Sequence, residues 1–344
     1  MSWQLPRLAL TLGDPAGVGP ELVLKTLSEF DVGNEKWLPV IYGNAALLQR
    51  VAAAIGQPWP LSGLTVIPPD VPCNVWPQTA VLLDFPFDFA TSLIPGQVQA
   101  TCGRQAYVWI EAAARDALAG KVAGIVTAPI HKVALHLAGV PFPGHTEILA
   151  DITGVTEAHM MFWSEQLVVT LVTIHEPIAK VPQLLSVEKV LAAIRATAKA
   201  MQASGKTAVH IGVLALNPHA GEDGLFGNEE IKYIVPAIAE ARKEGLNVSG
   251  PLVPDAFFSF YNKQAVAQTG RQYDAFVAMY HDQGLIPFKM VAFEEGVNTT
   301  LGLPIIRTSP DHGTAFDLAW QGVASGASFK AAVQLALKLA SGRS

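Results

Sequence analysis

Three of the nine histidines in this 344-residue sequence stand where chemistry is commonly done. His175, His219 and His281 each fall at, or just past, the end of a segment that reads as a buried strand. Imidazoles from three strand ends can converge on one divalent cation and leave coordination positions open for a substrate. They are far apart in sequence, so no local metal motif is present, and each could equally be a hydrogen-bonded loop histidine. The residues alone leave both readings open.

The densest stretch is DAFVAMYHDQGLIPFK, Asp274 to Lys289. Its first half reads as a short buried strand. His281, Asp282, Gln283 and Gly284 follow as an expected loop at the strand end, where open α/β sheets place ligands. Lys289 comes after Pro287 and Phe288, which puts a cation beside an apolar, restricted segment. Lys132, Lys289 and Arg307 all adjoin expected strand ends, and Arg307 could grip a phosphate or carboxylate with two nitrogens. His145-Thr146, His312 and His131 lie in similar settings, whereas His136, His159 and His210 fall inside helix or at strand starts and read as structural.

These groups need a scaffold, and the chain supplies an alternation of strands and helices. Strands are expected at Arg7–Leu12, Leu38–Tyr42, Val81–Phe85, Gly124–Thr127, His210–Leu216 and Pro304–Thr308, with Met160–Trp163 and Leu167–Thr173 as a pair. Helices are expected to about Ser28, then over Asn44–Ile55, Thr101–Leu118, Val187–Met201, Asn228–Glu244 and Phe329–Leu339. Gly250–Asp255 and Gly296–Asn298 read as turns. Between the first strand and helix, GDPAGVGPE has glycines spaced four and two apart, which is not the dinucleotide fingerprint G-x-G-x-x-G. A sharp turn and a ligand contact are both compatible with it. The alternation implies an α/β protein with largely parallel strands.

Composition narrows the function. Half the residues are hydrophobic, only 15% are charged, and the mean hydropathy is +0.32. That suits strands buried on both faces and an apolar subunit interface. A formal charge of −6 without any Lys/Arg cluster gives no footprint for nucleic acid or acidic membranes. Cys73 and Cys102 lack metal spacing, and no disulfide framework is expected. The N-terminus does not read as a signal peptide and no apolar run is long enough to span a bilayer, so a soluble, cytoplasmic protein is expected.

The motifs GDPAGVGPE, VTAPIHK, PGHTE, NPHAGE, GPLVPD, YHDQGL and GVNTTLGLPIIRTSPDHGTA occur in this order from about Leu8 to the C-terminal helix. Together they resemble the 4-hydroxythreonine-4-phosphate dehydrogenase family. The resemblance implies the isocitrate/isopropylmalate dehydrogenase-like fold, with two α/β lobes and an active-site cleft. One lobe is expected over 1–128 and 303–344, and the other, with the metal site and dimer interface, over 129–302. It further implies an enzyme of pyridoxal phosphate biosynthesis that uses NAD, or NADP, and one divalent metal: zinc, cobalt, magnesium or manganese. The partners implied are a small phosphorylated substrate and a second copy of the chain, in a homodimer that shares its active sites.

Carried over residue by residue, His175, His219 and His281 match the metal positions. His145, Thr146, Lys289, Asn298 and Arg307 match the substrate positions, with Lys289 and His281 as the catalytic pair. Asp311, His312 and Gly313 are similar to the adenosine-binding loop of the wider superfamily. Dehydrogenases of D-threonate or D-erythronate 4-phosphate would share this apparatus. A phosphate acyltransferase of related fold would need no such metal.

Overall fold

The computed structural model describes residues 5–30, 36–59, 61, 63–88, 93–259 and 272–342. Residues 1–4, the start of the segment expected to carry no signal peptide, lie outside the described residues. In chain order the strands begin with β1 (Arg7–Thr11), β2 (Leu38–Gly43), β3 (Leu64–Ile67), β4 (Ala80–Asp84), β5 (Gly124–Thr127) and β6 (His159–Trp163). They continue with β7 (Val168–Leu171), β8 (His210–Leu214), β9 (Asn247–Leu252), β10 (Ala275–Ala278), β11 (Val297–Leu301) and β12 (Arg307–Pro310).

The helices begin with α1 (Gly19–Ser28), α2 (Ala45–Ala54), α3 (Ala100–Leu118), α4 (Lys132–Leu137), α5 (His145–Thr153) and α6 (Val181–Leu184). After α7 (Val187–Ala203) and α8 (Val235–Lys243) come a short helical stretch at 254–259, taken as α9, then α10 (His281–Ala292) and α11 (Ala327–Ser341). None of the described helices is long and apolar enough to cross a membrane.

The chain divides into two compact units. The first takes the chain up to Ala158 together with Leu303–Ala340. Its strands run in the order β3-β4-β2-β1-β5-β12, each described pair parallel. Helices cover such a sheet on both faces, which is why β1, β2 and β5 are buried at every position. The expected outward boundary at 128/129 is corrected to Ala158/His159. The cause is close packing: a Cβ on Gly103 of α3 would sit 2.2 Å from the Ala134 backbone of α4, so α4 stays with the first unit.

The second unit comprises His159–Gly302 and the residues from Ser341. Its strand order is β11-β6-β7-β10-β8-β9. β6 pairs antiparallel with both β11 and β7, while β7, β10, β8 and β9 run parallel. The alternating side chains of β10 feed two cores. Phe276 and Ala278 pack with Val169, Leu171, Leu285 and Phe288 beneath α10. Val277 and Met279 pack with Val190, Ile194, Ile211 and Ile238 beneath α7 and α8.

Several expectations change. The loop expected after Tyr280 is the start of α10, which carries Pro287 inside it. Gly284 is there for proximity: a Cβ on it would meet Val169 and Leu171 side-chain carbons at 2.7 and 2.8 Å. Tertiary packing thus overrides two residues that punctuate chains elsewhere. The turn expected at Gly296–Asn298 is mostly strand, with Asn298 in β11 opposite Phe162. The loop expected at Gly250–Asp255 begins in β9, which pairs with β8. β12 starts at Arg307, so this cation opens a strand rather than ending one.

Candidate active site

The C-terminal ends of three neighbouring parallel strands, β7, β10 and β8, carry the chain towards His175, His281 and His219. Such ends are where an open α/β sheet exposes backbone and loops to ligands. The end of β7 is tied to that of β10: Thr173 donates from its N–H (3.1 Å) and from Oγ1 (2.8 Å) to the Met279 carbonyl. Gln283 ties β10 to β8, accepting at Oε1 from the Met279 N–H (2.7 Å) and donating from Nε2 to the Ala215 carbonyl (2.6 Å). Asp282 and Gln283, expected only to shape a loop, therefore have separate tasks at the head of α10.

Through these ties the rings of His175 and His281 come to 5.7 Å between centroids. His281 Nδ1 lies 2.8 Å from Asp282 Oδ1. A carboxylate beside one ring nitrogen orients the imidazole and leaves Nε2 facing away from it as a candidate ligand atom.

His219 is not brought to this pair, and among the described residues no three His, Cys, Asp or Glu side chains of one chain are arranged to hold a metal. It stands on an unusual turn. His219, Ala220, Gly221, Glu222 and Asp223 all have positive φ, from 43° to 78°. Left-handed backbone costs a non-glycine residue about 1–2 kcal/mol, so the turn needs to be held. The His219 side chain is 68% exposed, and its ring meets that of Phe226 edge-on at 6.2 Å. Leu225, Phe226, Ile231 and Val235, which follow His219 in the chain, are exposed apolar residues.

Beneath this turn lies Glu230, which the sequence reading passed over. Its Oε1 accepts from the N–H groups of Leu216 (2.8 Å) and Asn217 (2.7 Å), and its Oε2 from Asn217 Nδ2 (2.9 Å). The sequence did hold a signal. Glu230 shares helical spacing with Ile234, Ala237, Ile238 and Ala241, all buried, so a carboxylate stands where the pattern calls for an apolar residue.

Lys289 lies on α10, eight residues beyond His281, roughly 12 Å along the axis. Its Nζ sits 5.7 Å from the Phe293 ring centroid. Asn298 is half-buried on β11.

The first unit holds a second constellation. Arg307 is 4% exposed and donates from Nε (3.1 Å) and Nη2 (2.9 Å) to Thr127 Oγ1 at the end of β5. Burial draws its guanidinium down to about 10, with Glu147 acting in the opposite sense. His145 and Thr146 form the first turn of α5, whose N-cap, Gly144, gives no side-chain bond. Burial first, and the Arg307 charge second, push the His145 imidazole well below its usual value, so it is neutral near pH 7. His145 Nε2 is buried and lacks any hydrogen-bond partner. A buried cation, an orphaned ring nitrogen and an uncapped helix start together suit an anionic ligand. Thr127 was not singled out in the sequence, although its place at a strand end marked it.

Asp311, His312 and Gly313 follow β12. Asp311 N–H donates to Ser328 Oγ (3.1 Å), His312 and Gly313 are exposed, and a Cβ on Gly313 would meet open space. The glycine-rich turn behaves otherwise, for every residue from Thr11 to Pro20 is buried. Asp14 N–H donates to the Pro129 carbonyl (2.9 Å) and Val18 N–H to that of Thr314 (3.0 Å). Gly13 has φ +66°, and a Cβ there would lie 2.3 Å from the Pro129 oxygen. This turn is a packed structural junction. The Asp14 carboxyl, sealed within it, has an Oδ2 without a partner and is raised by burial to about 6.

The family described as "Pyridoxal phosphate biosynthetic protein PdxA" matches residues 35–336. A 4-hydroxythreonine-4-phosphate dehydrogenase of Trichlorobacter lovleyi is 45% identical over the whole of both chains. A D-threonate 4-phosphate dehydrogenase of Salmonella typhimurium is 42% identical, over 97% of this chain and 98% of the other. Among solved structures, a 4-hydroxythreonine-4-phosphate dehydrogenase from Klebsiella pneumoniae superposes with a TM-score of 0.84 at 40% identity, covering 99% of each chain. The fold agrees with these likenesses, and the chain belongs to the PdxA family of pyridoxal phosphate biosynthetic proteins.

Proposed function

We propose that this protein is an NAD-dependent dehydrogenase that oxidises 4-phosphohydroxy-L-threonine in the formation of pyridoxal phosphate. The β-keto acid it forms loses carbon dioxide to give 3-amino-2-oxopropyl phosphate. The observation that carries this reading is the buried Arg307 beside the unpartnered His145 Nε2. A fixed cation and a neutral imidazole are the groups that fasten a phosphorylated or carboxylated substrate. Thr146, Asn298 and Lys289 complete our assignment of substrate contacts, and Asp311, His312 and Gly313 that of the nucleotide loop.

The donors at the strand ends fit a divalent cation. His175 and His281 are adjacent, and Asp282 leaves His281 Nε2 available. Neutral imidazoles suit zinc, cobalt and manganese better than magnesium. When bound, the cation lowers the pKa of the substrate hydroxyl and draws electrons from the ketone that follows. Held by the Asp311, His312 and Gly313 loop, NAD would supply the acceptor for the hydride of the carbinol carbon, and the hydroxyl proton would pass to solvent or a base. Lys289 is assigned the remaining task of orienting the substrate and returning a proton to the carbon that loses carbon dioxide.

His219 stands apart from the other two in one chain. The exposed Ile286 and Met290 on α10 with Phe293 at its C-cap, and the exposed Leu225 and Phe226, favour a homodimer in which a second copy completes the set. We place the reaction in the cytoplasm.

The test is turnover. NADH should form with 4-phosphohydroxy-L-threonine, disappear after dialysis against a chelator, and return with zinc or cobalt. Preference for D-threonate or D-erythronate 4-phosphate would give the chain to the sister activity that one of its relatives carries by name.

A further inference from the structure

We propose that Glu230 is a positioning residue for His219, holding the left-handed turn that presents its imidazole. The proposal rests on the reading of His219 as a metal ligand. Glu230 is 2% exposed although it carries a carboxylate. It lies in a π-helical turn, Glu230–Ile234, directly before α8. Such turns are uncommon and gather at functional sites, where they redirect one side chain. Here the carboxylate is directed into the loop that follows β8. Oε1 takes the N–H groups of Leu216 and Asn217, the last two residues before Pro218 and His219, and Oε2 takes the Asn217 side-chain amide.

The turn closes around the same carboxylate on its far side. A Cβ on Gly221 would lie 2.8 Å from Glu230 Oε2, so the backbone passes too near for any larger residue. Gly227, at φ +131°, leaves only glycine's space beside Asn217, where a Cβ would meet Nδ2 at 2.5 Å. Phe226 N–H returns to the Gly221 carbonyl (3.1 Å), and Asn217 Nδ2 also donates to Glu229 Oε2 (2.7 Å). The run of five left-handed residues therefore meets one buried carboxyl group at Gly221. The His219 ring itself has no strong anchor, since Glu222 Oε2 is 3.5 Å from its Nδ1 and both groups are more than half exposed. Its direction is set by the backbone beneath it, and that backbone is set by Glu230.

The test uses the full-length protein, stripped of metal and titrated with cobalt(II), whose visible absorption reports ligands directly. Glu230→Gln keeps an acceptor for the two N–H groups but turns a donor towards Asn217; Glu230→Ala keeps nothing. Affinity should fall in the order wild type, Glu230→Gln, Glu230→Ala, by about 10–100-fold for full loss, as for other residues that orient a metal ligand. Amide hydrogen exchange at Leu216 and Asn217 should quicken in the same order, in the absence of metal. Should Glu230→Ala fail to fold, Glu230→Gln and Gly221→Ala carry the comparison, and both are expected to weaken binding. His219→Ala fixes the reference. If it loses cobalt affinity while folded Glu230→Gln and Gly221→Ala bind as the wild type does, the positioning role is refuted and the metal reading stands. If His219→Ala itself binds cobalt like the wild type, both fall together.

Discussion

Arg307 and Asp14 are both buried charges in the first unit, and they have opposite consequences. Arg307 spends two nitrogens on Thr127 Oγ1, and its desolvation is a standing cost to folding. Arg307→Met should leave the thermal transition within about 1 kcal/mol of wild type or raise it. The same change should lower kcat/KM by roughly 30- to several-thousand-fold, the equivalent of about 2–5 kcal/mol for a lost buried charge contact. Melting and steady-state assays on one preparation separate the two effects.

Asp14 has a carboxyl raised from 3.8 to about 6 by burial. The folded state thus holds a proton that the unfolded state has released. The stability this confers is complete below about pH 4 and is lost as pH rises through about 6. Asp14→Asn should accordingly be more stable than wild type near pH 7, by up to about 3 kcal/mol, with the advantage vanishing below about pH 4. Urea titrations across that range would show it; a constant difference at all pH values would disprove the burial argument.

At the scale of elements, the site depends on how closely α10 lies on β7. Gly284 makes that contact one turn beyond His281, against Val169 and Leu171. Gly284→Ala gains helix propensity of up to about 1 kcal/mol yet overpacks the junction, at about 1–3 kcal/mol. The expected result is a lower melting temperature together with weaker metal binding, because lifting α10 moves His281 away from His175. Unchanged metal affinity would mean that the strand-end ties at Thr173 and Gln283 suffice alone. The same glycine explains why α10 was hard to read. Gly284 and Pro287 are breakers by local rule, and it is the surface of β7, supplied by residues more than a hundred positions earlier, that gives Gly284 its place. By contrast, α3 and α7 were legible almost to their ends, because their apolar spacing is a local property. The β10 strand was legible from its unbroken apolar run, although no sequence pattern told that Val277 and Phe276 serve separate cores.

At the scale of the molecule, the histidines show what a sequence can and cannot carry. Their positions at strand ends were visible, since parallel strands in an α/β chain all point their C-terminal ends one way. The distance between His175 and His281 was not, because it depends on the spatial order β7-β10-β8, which differs from the order along the chain. Nor was the left-handed turn on which His219 stands, apart from that pair. The proposed set of three ligands does not gather among the described residues of one chain, and we assign its completion to a second copy.

That claim has a direct measurement: complementation between inactive variants. His219→Ala and His281→Ala should each be folded, dimeric and without NADH-forming turnover. Refolded together, they should regain activity, because every mixed dimer retains one site in which all three histidines are present. Mixed dimers that form, as mass measurement would verify, and yet remain inactive would contradict the shared metal site.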